Sequence, residues 1–205
     1  MSRLLLVRHG ITESNRARKL TGHSDVELSA DGHGQVERLR DRLVNEKIDA
    51  VYSSDLRRAL VTAEVICSGH KLDIATCPEL REINYGKAEG LTFEEIGRLY
   101  PEVAESVAKF SLQLKFPDGE SFEGFATRTS TFLDKLQGHE PSQTMLVVAH
   151  SGPLRVLVCR LLGIDLGHWR QFRLDFASLS ILETYPQVTI VNLLNDTSHL
   201  GTIGD

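Results

Sequence analysis

The run MLVVAHSGPLRVLVCRLLG, residues 145–163, reads as a strand that passes straight into a helix. Met145 to Ala149 is five apolar residues without interruption, which suits a strand buried on both faces of a helix-covered sheet. Pro153 belongs in the first helical turn, and Gly163 suits the left-handed residue that closes a helix after Leu162. Working outward, the same alternation recurs. LLLV at 4–7 and AVYS at 50–53 are of strand length, with a further candidate strand near 74–77. Between them lie helical periods: Ser29 to about Glu46, with Val36, Leu39 and Leu43 on one stripe, and 56–68, with Ala59, Leu60, Ala63 and Ile66 on one side. Thr92 with Glu95 is a capping pair that opens a helix obliged to stop before Pro101. A looser stretch, 101–121, ends in the turn signal Pro117-Asp118-Gly119 and leads into a helix from Ser121 to about Leu136. The tail, SLSILETY and VTIVNLL around Pro186-Gln187, predicts two antiparallel strands at one edge. Strands alternating with helices imply crossover connections and a mostly parallel α/β sheet.

At 205 residues, 41% apolar and 25% charged, one globular domain over 1–205 is expected, with a core large enough to need no disulfide or structural metal. Cys67, Cys77 and Cys159 are odd in number and far apart, against a disulfide framework or a zinc knuckle and in favour of a reducing compartment. The opening MSRLLLVRHG has too short an apolar run for a signal peptide or a membrane span, so a cytoplasmic protein without a membrane partner is expected. A net charge of −5 and a pI near 5.9 argue against a nucleic-acid surface. The charge is uneven: residues 1–60 hold 11 Lys and Arg against 9 Asp and Glu, leaving 12 against 19 for the rest. Arg38, Arg40 and Arg42 fit the wet face of a helix. The remaining excess suits small anions handled early in the chain.

The residues with chemistry fall at strand ends. Arg8-His9-Gly10 follows the first strand, Ser53-Ser54 with Arg57 follows the second, and His150-Ser151-Gly152 follows the strand at 145–149. Ligands of open parallel sheets bind outside the carboxyl ends of strands. Two arginines, two histidines and a helix amino end would then converge into a cage for a phosphate-like dianion. A neutral histidine there can attack phosphorus and form a phosphohistidine, with fixed cations stabilising the transferring group and no metal or other cofactor required. An alkoxide leaving group needs a general acid. Glu82, in ELREINYG, is the first choice, with Glu79, Glu89, Glu94 and Glu120 as alternatives. His23, His33, His70, His139, His168 and His199 include no pair at metal-ligand spacing. Arg16, Arg18 and Lys19 either meet an anionic substrate or solvate a loop.

LLLVRHG with Thr12 and Asn15, Thr21-Gly22, SSDLRRA around Arg57, LREINYG around Glu82 and VVAHSG around His150 together resemble the histidine phosphatase superfamily, the phosphoglycerate mutase-like proteins. The resemblance spans about residues 3–183. It implies a three-layer α/β fold, His9 as phosphorylated nucleophile, Arg8, Arg57 and His150 as phosphate pocket, and Glu82 as proton donor. Asn15, Thr21, Gly22 and the Ser151 backbone match secondary phosphate or substrate contacts. The chain is most similar to the small phosphatases, those like alpha-ribazole phosphatase and the broad-specificity phosphatases, so alpha-ribazole phosphate is one expected substrate among small phosphorylated metabolites. A homodimer is compatible with the composition. Ile11, where the family usually has Glu or Gln, and Lys87-Ala88, where an acidic or small residue and Trp are common, depart from the pattern beside the expected pocket mouth. Only 67 residues separate Glu82 from His150, short for a cofactor-dependent phosphoglycerate mutase. That enzyme and a phosphoryl-binding module without turnover are the rival readings.

Overall fold

The computed structural model describes residues 2–109 and 111–201; Met1 and 202–205, the ends of the expected domain, lie outside them. The strands are β1 (Ser2–Arg8), β2 (Ala50–Ser53), β3 (Ile74–Thr76), β4 (Thr144–Ala149), β5 (Leu179–Thr184) and β6 (Thr189–Asp196). The helices are α1 (Glu13–Arg16), α2 (Ala30–Leu43), α3 (Arg57–Cys67), α4 (Phe93–Leu99), α5 (Pro101–Ala108), α6 (Phe122–Ser130), α7 (Phe132–Gln137) and α8 (Ser151–Leu162). Among the described residues the strands form one sheet in the order β3-β2-β4-β1-β5-β6. Ladders β1–β4, β4–β2 and β2–β3 are parallel, whereas β5 runs antiparallel to β1 and β6 antiparallel to β5. The tail strands therefore occupy one edge, as their short connection requires.

Alternation along the central strands divides the core between the two faces. Leu5, Val7, Leu146 and Val148 pack with Val36, Leu39 and Leu43 of α2 and Ala59, Ala63 and Ile66 of α3. Leu4, Leu6, Met145 and Val147 pack with Phe132 of α7 and Leu154, Leu157 and Val158 of α8. Each such Leu or Val, fully buried, contributes roughly 1.5–3 kcal/mol. A third apolar cluster, containing Ile83, Ile96, Val103, Phe116, Phe122 and Phe125, lies off the sheet and is built from α4, α5, α6 and Val156 of α8. This lobe meets the sheet where the catalytic candidates sit.

Local signals act where the sequence places them. Ser29 caps α2 by accepting the Gly32 amide, Thr92 and Glu95 form a reciprocal capping box on α4, and Gly163 closes α8 at φ 66°. Two expectations need correction. The stretch 101–121 is not all loop, because Pro101 begins α5 as its first residue; proline lacks only an N–H that a helix start leaves unbonded anyway. The helix expected to run from Ser121 to Leu136 is divided into α6 and α7 at Thr131, where the Ser130 and Thr131 hydroxyls bond back to the Ala126 and Arg128 carbonyls. No helix among the described residues is long and apolar enough to cross a membrane.

Candidate active site

The parallel register sets Arg8 beside Ala149, so the residues that follow, His9 and His150, leave the sheet together. The His9 amide donates to the Ala149 carbonyl at 3.0 Å, and the Ser54 amide at the end of β2 donates to Val148 at 2.9 Å. Three adjacent strand ends are thereby tied to one another. The His9 and His150 rings meet edge to face with centroids 4.9 Å apart, both fully enclosed.

Burial, then the Arg58 and Arg8 charges, push the His9 imidazole well below its ordinary pKa, so the ring is neutral at pH 7. Its Nδ1 lies 2.7 Å from the Gly10 carbonyl oxygen. A carbonyl can only accept, so Nδ1 carries the proton and Nε2 keeps its lone pair. His150 is shifted in the same direction by burial, with Arg58, His9 and Arg8 as further causes. Its Nε2 lies 2.9 Å from the Ser54 hydroxyl. With that hydroxyl donating, the proton of the neutral ring sits on Nδ1. Arg8 donates from Nη1 to the Leu174 carbonyl at 2.6 Å and stacks 3.6 Å over the Phe176 ring, and burial brings its pKa down to about 10, still protonated at neutrality. Arg8 Nε, Arg58 Nε and His150 Nδ1 are buried polar atoms with no hydrogen-bond partner among the described residues.

Arg57 is not in this group, which corrects the expectation that placed it in the phosphate pocket. It is the first residue of α3, its side chain is 58% exposed, and it pairs with Glu27. The buried arginine is Arg58, fully enclosed, whose charge acts on both histidines. The reason is helical phase: the buried residues of α3 are Arg58, Ala59, Thr62, Ala63, Ile66 and Cys67, and position 57 falls off that stripe. The spacing 58, 62, 66 was already present in the sequence. Arg58 donates to the Ser24 carbonyl at 2.8 Å and to the Thr21 and Gly22 carbonyls at 3.2 and 2.7 Å.

Glu82 is buried, and its Oε2 accepts the Gly152 amide at 3.1 Å while Oε1 accepts the Ile83 amide at 3.0 Å. The amino end of α8 thus serves the carboxylate as well as the cage. A Cβ on Gly152 would stand 2.0 Å from Glu82 Oε1, so only glycine admits this approach. Behind Glu82, Arg128 donates to the Glu79, Arg81 and Glu82 carbonyls at 2.9, 3.1 and 3.2 Å and grips Glu120 with two bonds of 2.8 Å. The alternative acids are engaged elsewhere. Burial pushes Glu120 up, but Arg128 and the Asn84 amide outweigh it and hold the carboxyl below its ordinary range. Glu79 pairs with Lys135 and Glu94 with Arg98. Glu89 accepts the Gly22, His23 and Tyr85 amides and the Ser24 hydroxyl.

A cavity of about 250 Å³ is bordered by Arg8, His9, Asn15, Thr21, Glu82 and Ser151, with Arg18 and Lys19 at its wall. Asn15 fixes its Oδ1 on Thr12 and so orients its amide. Gly22 does not border the cavity, since its amide is taken by Glu89 and its carbonyl by Arg58. Arg16 pairs with Asp31 instead. Ile11 and Lys87-Ala88 lie off the cavity wall, with the Ile11 amide bonded to Gln35 and Lys87 paired with Asp118. No group of three or more His, Cys, Asp or Glu among the described residues could hold a metal ion.

Residues 4–197 match the family model of the histidine phosphatase superfamily, branch 1. The chain belongs to that superfamily. Phosphoserine phosphatase 1 of Hydrogenobacter thermophilus is 33% identical over 201 residues, 98% of this chain and 95% of the relative. The adenosylcobalamin/alpha-ribazole phosphatase of Salmonella typhimurium is 32% identical over 196 residues, 93% and 96% of the two chains. The crystal structure of the alpha-ribazole phosphatase from Shigella flexneri superposes with a TM-score of 0.89 at 29% identity, covering 95% of this chain and 96% of that one. As a histidine phosphatase with phosphatase relatives along its whole length, the chain is a phosphoric monoester hydrolase.

Two outcomes follow for this histidine phosphatase. Arg58→Ala should lower kcat/KM by at least a hundredfold, about 2.7 kcal/mol, whereas Arg57→Ala should stay within about twofold; steady-state kinetics on the two variants separate the arginines. The buried neutral histidines also make stability depend on pH. Below pH 6.5 the unfolded chain binds protons that native His9 and His150 refuse, so stability is full above that pH and falls below it by roughly 1.4 kcal/mol per pH unit for each. Urea unfolding at pH 7.5 and 5.5 should show this loss, and His150→Gln should reduce it by about half.

Proposed function

We propose that this chain is a single-domain, metal-independent phosphatase of small phosphomonoesters that works through a phosphohistidine on His9 in a cytoplasmic setting. The observation that carries the reading is a neutral His9 that borders one cavity with Arg8, with unpartnered buried donor atoms on Arg8, Arg58 and His150 and with both arginine charges acting on the two histidines. A phosphoryl group in that cavity brings the negative charge that these cationic surroundings favour, and the charge on its equatorial oxygens in the transition state is stabilised by the same fixed cations.

His9 Nε2 attacks phosphorus while the ester P–O bond breaks on the opposite side, and Glu82 gives its proton to the departing alkoxide. In the second half water attacks the phosphohistidine, Glu82 takes a proton from the water, and inorganic phosphate leaves with His9 restored. Asn15, Thr21 and Ser151 border the same cavity and act as secondary contacts. Every group in this scheme comes from one chain, so a homodimer is not required for it. The mutase and the silent binding module are not favoured: full-length relatives are phosphatases, and both His9 and Glu82 are present. The partner is a small phosphorylated metabolite rather than nucleic acid or membrane, and phosphoserine and alpha-ribazole phosphate, named for the relatives, both belong in a substrate panel.

Rapid quenching with labelled substrate should trap acid-labile phosphate on His9, His9→Ala should lose at least a thousandfold in turnover, and excess chelator should leave the rate unchanged. Label on Ser54 or Ser151, or abolition by chelator with rescue by a divalent ion, would contradict the scheme. The acid is tested separately by leaving group. Glu82→Gln, and Gly152→Ala, which displaces the same carboxyl, should slow an alkyl phosphate roughly a hundredfold but an activated aryl phosphate far less. Equal slowing of both esters would assign Glu82 to phosphate positioning.

A further inference from the structure

A second cavity, of about 130 Å³, adjoins the phosphate cavity, and Leu20, Glu82, Tyr85 and Ser151 border both. Its position decides its use. Glu82, the proton donor of the scheme above, stands on the wall that the two cavities share. Its walls are the apolar lobe, chiefly Ile83, Phe93, Phe116 and Trp169, and of the residues that border it Glu82 is the only acid. Two guanidinium groups, Arg155 and Arg170, stand in this otherwise apolar lining.

Arg155 is half-buried on α8, one turn beyond Ser151. Its Nε donates to the Phe172 carbonyl at 2.7 Å, its guanidinium carbon lies 6.0 Å from the Trp169 ring centroid, and it forms no ion pair with a carboxylate among the described residues. Burial lowers its pKa, and the Glu82 charge is the first influence that opposes this. In the protonated state that donates to the leaving group, Glu82 no longer supplies that charge. Arg155 is then a partly desolvated cation in an apolar chamber, a costly arrangement unless an anion arrives.

Resting on the phosphatase reading above, we propose that this chamber receives the alcohol half of the ester and that Arg155 makes the enzyme select alcohols that are apolar, about one ring in size and anionic. An apolar cavity of roughly 150 Å³ holds benzene, which sets the size. An ammonium group, as in an amino-acid alcohol, would face two guanidinium groups and is disfavoured.

The test compares phenyl phosphate with its 3-(carboxymethyl) and 3-(aminomethyl) derivatives, whose methylene insulates the phenol oxygen from the substituent. In the wild type, kcat/KM should rise about tenfold or more for the carboxymethyl ester and fall below phenyl phosphate for the aminomethyl ester. Arg155→Met, which keeps the apolar stem, should bring the carboxymethyl advantage within about twofold, and Arg155→Lys should retain part of it. Calorimetry with 3-hydroxyphenylacetate and 3-methylphenol, run with saturating inorganic phosphate to occupy the anion cage, tests the chamber without turnover, the acid binding about tenfold tighter to the wild type and within about twofold of the phenol to Arg155→Met. No carboxylate preference in the wild type, a preference for the ammonium ester, or a carboxylate preference unchanged in Arg155→Met would overturn the inference. Failure to hydrolyse phenyl phosphate in a His9-dependent way would instead strike the phosphatase reading, and the calorimetric comparison would still decide the chamber.

Discussion

Two guanidinium groups, Arg8 at the end of β1 and Arg58 on α3, stand beside the site with no carboxylate in ion-pair contact among the described residues, and the site depends on how they are tolerated. Arg58 is enclosed and Arg8 half-buried, with Glu82 as a neighbouring buried carboxylate, while His9 and His150 respond to burial and to both cations by staying neutral. Arg58 is tolerated through three backbone carbonyls and Arg8 through one carbonyl and an aromatic face. These contacts supply dipoles, and Glu82, Asp175 and Glu89 act on the two cations without forming an ion pair with them, so a counter-charge at contact distance is missing. In the proposed scheme a phosphoryl dianion corrects that shortfall, and the neutral histidine that the same surroundings produce is its nucleophile.

The 21–24 loop shows how the fold holds this arrangement. Arg58 takes the carbonyls of Thr21, Gly22 and Ser24, and Glu89 takes the amides of Gly22 and His23 and the Ser24 hydroxyl. The loop is thus gripped by a cation on one side and an anion on the other, each using the groups of opposite polarity. Arg128 does the equivalent for the Glu82 segment, with Glu120 balancing its charge. Side chains on α3 and α6 thereby fix two irregular segments with the rigidity of the helices that carry them.

Much of this was legible from residue order, and what was not has a physical reason. Strand ends could be read because β1, β2 and β4 are uninterrupted apolar runs, and parallel pairing brings their carboxyl ends together. Caps could be read because Ser29 and Thr92 act on amides two or three residues away. The motif around Arg57 says nothing about which of two adjacent arginines turns inward, because the environments of 57 and 58 differ only by the 100° that separates neighbours around a helix. Treating Arg58 as the first member of the stripe 58, 62, 66 resolves them. Pro101 read as a breaker because it ends α4, yet it also begins α5. Arg155 carried no signal of its own, since its significance comes from Trp169 and the Phe172 carbonyl, distant in sequence and brought to it by a 3-10 turn at Leu166–Gln171.

Glu82 connects the two halves of the site, and its neighbours explain why one residue can serve both. Its carboxyl is fixed from the sheet side by the Gly152 amide and from its own segment by Ile83, while it borders the phosphate cavity and the apolar chamber together. A proton donor must reach the bridging ester oxygen, the one atom shared by the phosphoryl group and the alcohol, so it has to stand at the boundary between the surroundings of each. In the proposed arrangement the sheet ends provide the surroundings of the first and the α4–α6 lobe those of the second. Changes to the lobe can therefore alter which alcohol is accepted without disturbing the strand ends that hold phosphorus, and this separation lets one fold serve different phosphomonoesters.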